Sequence, residues 1–254
     1  MLKKVLSLKT FLALLLCLAA LPALAAEKTS PVMERWVRRS SAADKEGAQS
    51  MKVQVTYYAN EYVEALVNSE AEKNLWTQDE MENYKYTLLK TLNLSESLAF
   101  HLDLNVNGVP MYPAPFDKHI YLMIGKKRYT PSDYDKRFNF KLSGKRDGMV
   151  YFPRYDSKTG QDVLKGAKDV RLFLDASITY AQAGKGDFMW VWDITKDKPS
   201  SAGDGKAAAR LEIDRLLRRM EKLDKERQEL QGQLDKINQE LDEVNSRMDE
   251  LQSR

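Results

Sequence analysis

Cysteine is nearly absent from this sequence: Cys17 is the only one, and it lies in an apolar run close to the N-terminus. The rest of the chain therefore has no disulfide, no thiolate nucleophile and no Cys-ligated metal available to it. Histidine is almost as scarce. His101 and His119 are the whole complement, and neither has a second His at helical or strand spacing, so no metal or cofactor is assigned. There is no Gly-x-Ser-x-Gly elbow, no His-Glu-x-x-His helix and no phosphate-cradling glycine loop. The Asp133-x-Asp135 pair reads as a solvated loop, and the stretch YDSKTGQD lacks the alternating oxygen ligands of a calcium loop. No catalytic residue is assigned, and the chain is expected not to be an enzyme.

An excess of charge is also missing. The formal net charge of +3 comes from 40 Lys and Arg against 37 Asp and Glu, and Lys3, Lys4 and Lys9 supply the whole surplus. Those lysines precede an apolar run from Phe11 to Leu18, followed by Pro22 and the small-residue pattern Ala23-Leu24-Ala25. This is the form of a cleavable secretory signal peptide over residues 1–25, too short for the roughly 20 residues that a membrane span requires. Leu16 precedes Cys17 where a lipoprotein signal needs a small residue. The expectation is a periplasmic or secreted protein, cut near Ala25, with no transmembrane segment in the mature chain. A near-neutral mature chain is not a general nucleic-acid binder.

The composition then divides the chain. Residues 26–50 read as a flexible lead-in with a helical turn or two around VMERWVRR, residues 51–194 as a β-rich globular domain, and residues 195–206, TKDKPSSAGDGK, as a linker. Within the domain MKVQVTYYA alternates as a strand does. Residues 60–74 place Tyr62, Val63, Leu66 and Val67 on one helical face. Thr77-x-x-Glu80 opens a second helix as a capping box. From Leu98 the period changes to two, and further strands are expected at HIYLMIG, RFNFKL, MVYFP, VRLFLDASITY and DFMWVWDI, with SGKRDG as the turn between the second and third. Short strands without intervening helices predict an α+β body, an antiparallel sheet or sandwich with a helical pair at one side.

Residues 207–254 carry a different pattern. With Ile213 at position a of a heptad, the a series is Ile213, Met220, Arg227, Leu234, Leu241 and Met248. The d series is Leu216, Leu223, Leu230, Ile237, Val244 and Leu251. Eleven of the twelve sites are apolar, and the flanking e and g sites are mostly amide or charged. A stripe this narrow, sustained over six heptads and roughly 63 Å, predicts a coiled coil rather than a helix folded onto the body. Arg227 is the one break, easiest to accommodate in a dimer, where the side chain can reach solvent. Weak charge selection between g and e favours pairing with itself, as a dimer or trimer; a different coiled-coil protein is the opposed reading.

Two further surfaces are candidates for ligand binding. In FMWVWD, Phe188, Trp190 and Trp192 share one face while Met189 and Val191 share the other, which fits a central strand covered on both sides; an exposed Trp190 and Trp192 row stacking on sugar or peptide is the alternative. The basic residues Lys126, Lys127, Arg128, Lys145 and Arg146, with Arg137, Lys141 and Arg154 nearby, would form a positive patch for an anionic glycan, headgroup or acidic partner if their loops converge. The leading expectation is an exported, non-enzymatic envelope protein that self-assembles through its C-terminal helix and presents a β-rich interaction domain, with an envelope protein or glycan as partner. The alternative is a periplasmic ligand-binding module for which that helix is only a stalk.

Overall fold

The structure, a computed structural model, describes residues 30–197 and 206–253. The expected signal peptide with Cys17, and most of the expected linker, lie outside the described residues. Along the chain come a one-turn helix α1 (Pro31–Glu34), strands β1 (Val37–Ala43) and β2 (Ser50–Tyr57), helices α2 (Asn60–Asn74) and α3 (Gln78–Thr91), and the long strand β3 (Ser97–Met111). Then follow β4 (Ile120–Ile124), β5 (Lys127–Tyr129), β6 (Asp133–Tyr134), β7 (Leu142–Pro153), β8 (Asp169–Leu174), β9 (Phe188–Asp193) and the helix α4 (Lys206–Gln252). All strand pairs are antiparallel. One sheet runs β1-β2-β3-β7-β6 and the other β5-β4-β8-β9. The α+β character is as expected, with nine strands and a long C-terminal helix.

Period-two alternation builds the core. Val53 and Val55 of β2, Phe100, Leu102 and Leu104 of β3, and Val150 and Phe152 of β7 join Leu122, Leu172, Phe188, Trp190 and Trp192 of the other sheet in a single buried cluster. An aromatic nest lies within it. Tyr57 stacks on Phe100 at 4.7 Å between ring centroids, Phe100 meets Phe152 edge-on at 5.7 Å, and Trp192 lies 5.5 Å from Phe100 and 6.0 Å from Tyr57. Such pairs are worth about 0.5–1.5 kcal/mol each beyond the area they bury.

The edge strands β1 and β9 are tied by polar groups. Trp192 donates its Nε1–H to the Trp36 carbonyl at 2.9 Å, and Trp190 donates its own to Ser40 Oγ at 2.9 Å. Arg38 donates from Nε to the Val191 carbonyl at 3.0 Å while its guanidinium lies 5.7 Å from the Trp192 ring centroid. Indole N–H groups buried without an acceptor would be costly. The Trp36 carbonyl, one residue before β1, and Ser40 Oγ of β1 remove that cost.

This corrects the expectation for residues 26–50. From residue 30 onward they belong to the body, because β1 pairs with β2 over its full length and Trp36 is buried against Tyr57. The sequence VRRSSAA carries little apolar alternation, so the partner strand and the Trp acceptors define it as a strand. RFNFKL is not a strand either. Lys136–Asn139 forms a 3-10 turn capped by the Asp135 carboxylate, which sends Phe138 into the core and leaves Phe140 exposed; a strand would have put both on one face. The turn expected at SGKRDG is instead the first half of β7, paired with β3 through to Val106, where the register slips. β9 is an edge strand and not a central one.

The helical pair packs on the outer face of the five-stranded sheet. Val63 and Val67 of α2, Leu89 of α3, Leu92 and Leu94 form a second buried cluster with Ala99 of β3, and Met149 and Tyr151 of β7 pack against it. Buried Lys85 of α3 pairs with Glu64 of α2 at 2.5 Å. The Thr77 capping box is formed as the sequence predicts. α2 starts differently: Ala59 offers no side-chain cap, and Asp197, from beyond β9, accepts the Glu61 backbone N–H at 2.9 Å.

Trp192→Ala removes the centre of the aromatic nest and is expected to destabilise the fold by about 3–5 kcal/mol, read as a lower urea midpoint. A change under about 1 kcal/mol would show that the nest does not hold the two sheets together.

Candidate functional site: the exposed face of the C-terminal helix

α4 begins without an acidic residue of its own in its first turn. Glu82 of α3 supplies the charge, its carboxylate accepting the Ala207 backbone N–H at 3.1 Å, which satisfies a helix-start donor and complements the helix dipole. Ala207 and Leu211 are buried, Leu211 within the α2–α3 cluster. The Tyr86 hydroxyl donates to Asp214 at 2.8 Å, and Arg210 lies over the Tyr86 ring at 4.5 Å. Arg215 pairs with Glu212 at 2.6 Å and stands over Tyr155 at 4.8 Å. The last point of docking is Arg219. Its guanidinium passes so close to Gly160 that a Cβ there would sit 3.0 Å from Nη2; Gly160 also has φ +66°, so glycine serves both the turn and the approach. Between this turn and the helix runs a groove of about 600 Å³ bordered by Lys158, Arg218, Lys222, Asp156 and Glu226.

Beyond Arg219 the helix leaves the body. Every apolar a and d residue from Ile213 to Leu251 is exposed, from 49% at Met248 to 64% at Leu230. At 100° per residue the buried positions Ala207 and Leu211 point roughly 180° away from the stripe that begins at Ile213, Leu216, Met220 and Leu223. One face of the first turns is thus used by the body. The opposite face is apolar and exposed, with Leu223 at the border of the groove beside the 155–160 turn.

The other candidates fall elsewhere. Trp190 and Trp192 are 3% and 0% exposed and spend their N–H groups on β1, so they form part of the core and offer no stacking surface. Nor do the basic residues gather into one patch. Lys126, Lys127 and Arg128 sit at the β4–β5 hairpin, where Lys127 pairs with Asp156 and Arg128 lies 3.7 Å from the Tyr121 ring centroid. Lys145 and Arg146 are neighbours on β7 and so point to opposite faces, Arg146 donating to the Arg137 carbonyl at 2.6 Å.

Position on the sheet edge reveals a surface that sequence reading missed. Because β9 is covered on one side only, Met189 is 53% and Val191 38% exposed. Met189 lies across from Phe173, which is paired with Tyr121 and stacked on it at 4.9 Å, giving a partly exposed row over three strands. The signal was the Met189 and Val191 side of FMWVWD, but strand order decides whether that side is covered. The histidines are apart: His101 Nε2 is 3.1 Å from Asp147, while His119 faces Asp175 at 3.8 Å on the other sheet. Among the described residues no three of His, Cys, Asp and Glu gather as a metal site, and no helix is long and apolar enough to cross a membrane.

No protein-family model and no curated protein matches the chain. Among solved structures, a protein of unknown function from Burkholderia pseudomallei is similar at 8% identity over 63% of this chain and 79% of that one, with a TM-score of 0.32. At that level it carries no argument about fold or function.

The carboxylates around the helix base set the pH dependence. The Lys127 ammonium and two backbone N–H groups hold Asp156 below the usual carboxylate range, and Arg215 holds Glu212 down likewise. Stability from such groups is present above the unfolded values and lost as pH falls through the folded ones. Asp197, raised by burial, works in the opposite sense. Burial pushes Tyr58 up to about 12, so its contribution is present below its ordinary value of 10.0 and lost as pH rises through about 12. The urea midpoint is expected to hold between about pH 5 and 9 and to fall below about pH 4 and above about pH 10.

Proposed function

We propose that this chain is an exported, non-enzymatic envelope protein whose C-terminal helix forms a coiled coil with further copies of itself, presenting several β-rich domains together. The observation that carries the reading is the exposed seam of α4: twelve a and d positions, eleven of them apolar and all at least 49% exposed, roughly opposite the buried Ala207 and Leu211. In water such a stripe is stabilised by burial against another helix, at about 25 cal/mol per Å² of apolar area removed from solvent. A two-in-seven stripe matches another helix better than a sheet. The body supports display. We read its two sheets, which share one aromatic core, as a sandwich, and docking through Ala207, Leu211 and Asp214 fixes how the helix leaves it. Weak binding by each domain would then be multiplied by avidity wherever several sites reach one partner together. The signal-like N-terminus, with its cut near Ala25, supports a periplasmic or secreted location.

Light scattering coupled to size exclusion on residues 26–254 is expected to give two or three times the chain mass. The same chain ended after Arg219 keeps the docked turns and is expected to be monomeric. Two monomers would overturn self-assembly.

A second reading is favoured by the Tyr121, Phe173 and Met189 row: a ligand-binding module whose site is this apolar face of the four-stranded sheet, suited to sugar rings or a peptide. Here Phe173→Ser with Met189→Ser is expected to leave the circular dichroism spectrum unchanged and to abolish retention on a glycan or peptide array. Unchanged retention, or no retention by the parent chain, removes this reading.

A further inference from the structure

We infer that the α4 seam closes on a second copy in parallel and in register, so that the bodies gather at one end of the assembly and the helices project together from them. The inference rests on the self-pairing reading and adds its direction, which follows from the charges beside the seam and from the face by which each helix is docked.

In the parallel arrangement every a residue meets its own counterpart, and the whole stripe from Ile213 to Leu251 is covered. Each g position then faces the following e position of the second copy. Arg219 stands opposite Asp224, an opposite-charge juxtaposition, while its guanidinium lies against the Gly160 turn of its own body. Glu226 meets Gln231, Gln233 meets Asn238, Glu240 meets Asn245 and Arg247 meets Gln252, with no like charges opposed. Arg227, the charged a residue, is also accommodated. Its guanidinium already lies 3.3 Å from Asp224 of its own helix, and in a parallel pair the neighbouring g residue across the seam is Glu226 of the second copy. Its stem can cover the seam while its head stays at the wet rim.

The antiparallel arrangements fare worse. With full overlap, g faces g, which opposes Arg219 to Arg247 and Glu226 to Glu240, each twice in the pair. Sliding the helices by one heptad turns Glu226 toward Arg247, an attractive pair. That slide leaves Ile213 and Leu216, 56% and 50% exposed, with nothing to cover them, and the opposite slide, which turns Arg219 toward Glu240, sets Leu251 against Lys206 and Met248 against Ala209.

Docking permits the parallel choice. The buried positions Ala207 and Leu211 lie roughly 180° from the seam, so in a parallel assembly the buried face of each helix is on its outer side, and the turn at residues 155–160 borders the seam only along its g side, at Arg219, Leu223 and Glu226. The seam can then start at Ile213, within the docked turns, and need not wait until the helix has cleared the body.

The scarcity of cysteine makes a direct test simple. In the full chain carrying Cys17→Ser, Leu216→Cys and Leu251→Cys are introduced one at a time, the two d positions lying at opposite ends of the seam. Disulfide formation requires Cα atoms about 4.4–6.8 Å apart, a separation met by matching d residues only when the helices are parallel and in register. The expected result is that each variant, under mild oxidation, gives a reducible covalent dimer as its major species, with Leu217→Cys at an e position giving much less. If the mass in solution is that of an oligomer but neither d variant cross-links, the helices are antiparallel or out of register and the inference fails while self-assembly stands. If the mass is that of a monomer and nothing cross-links, self-assembly fails and the inference fails with it.

Discussion

The fold depends on what happens to two indole N–H groups. Trp190 and Trp192 bring large apolar surfaces into the centre of the molecule, and each brings a donor that would be costly to bury alone. Both donors are accepted by the same short stretch, at the Trp36 carbonyl and the Ser40 hydroxyl. This makes β1 indispensable even though its own sequence has little apolar content. Once β1 is in place, β2 has a partner on its outer side, Trp36 closes over Tyr57, and the two sheets are joined along an edge as well as through their core. The aromatic nest fills the space between the sheets at this point, and the hydrogen bonds fix which edge meets which.

A similar division holds at the helices. Two of them have a backbone N–H of the first turn accepted by a carboxylate from elsewhere in the chain: α2 by Asp197 and α4 by Glu82. Ala59 has no side-chain oxygen with which to cap α2, and the first turn of α4 carries no acid of its own. Each such carboxylate therefore joins two elements distant in sequence, and α4 is held against α3 by Glu82 and Tyr86.

Some of this was legible from the residues and some was not, for physical reasons. The capping box at Thr77 and Glu80 is a local device and appears as read. The stripe from Ile213 to Leu251 is legible for the same reason, since helical periodicity needs no knowledge of the rest of the fold. β1 was missed because VRRSSAA has no pattern of its own, and the Arg and Ser residues that make it useful act on β9, about 150 residues away. RFNFKL misled because two phenylalanines two apart imitate a strand, whereas the Asp135 carboxylate bonded to the Arg137 N–H turns the backbone between them. The covering of Met189 and Val191 could not be read at all. Which strand lies at an edge is a property of the sheet, so the candidate face moved from the tryptophans to the opposite side of the same strand.

The fixed base of α4 also has a mechanical side. A helix of 47 residues rises about 70 Å, yet its hold on the body is confined to the first three or four turns, from Ala207 to Arg219. Measured from that clamp, the free portion is a lever arm about two and a half times as long as the part that is held. A small sideways force at the tip becomes a large torque on Leu211, Tyr86 and Glu82. The contacts that would yield first under load are thus those between α4 and the α2–α3 pair, leaving the strands of the body undisturbed.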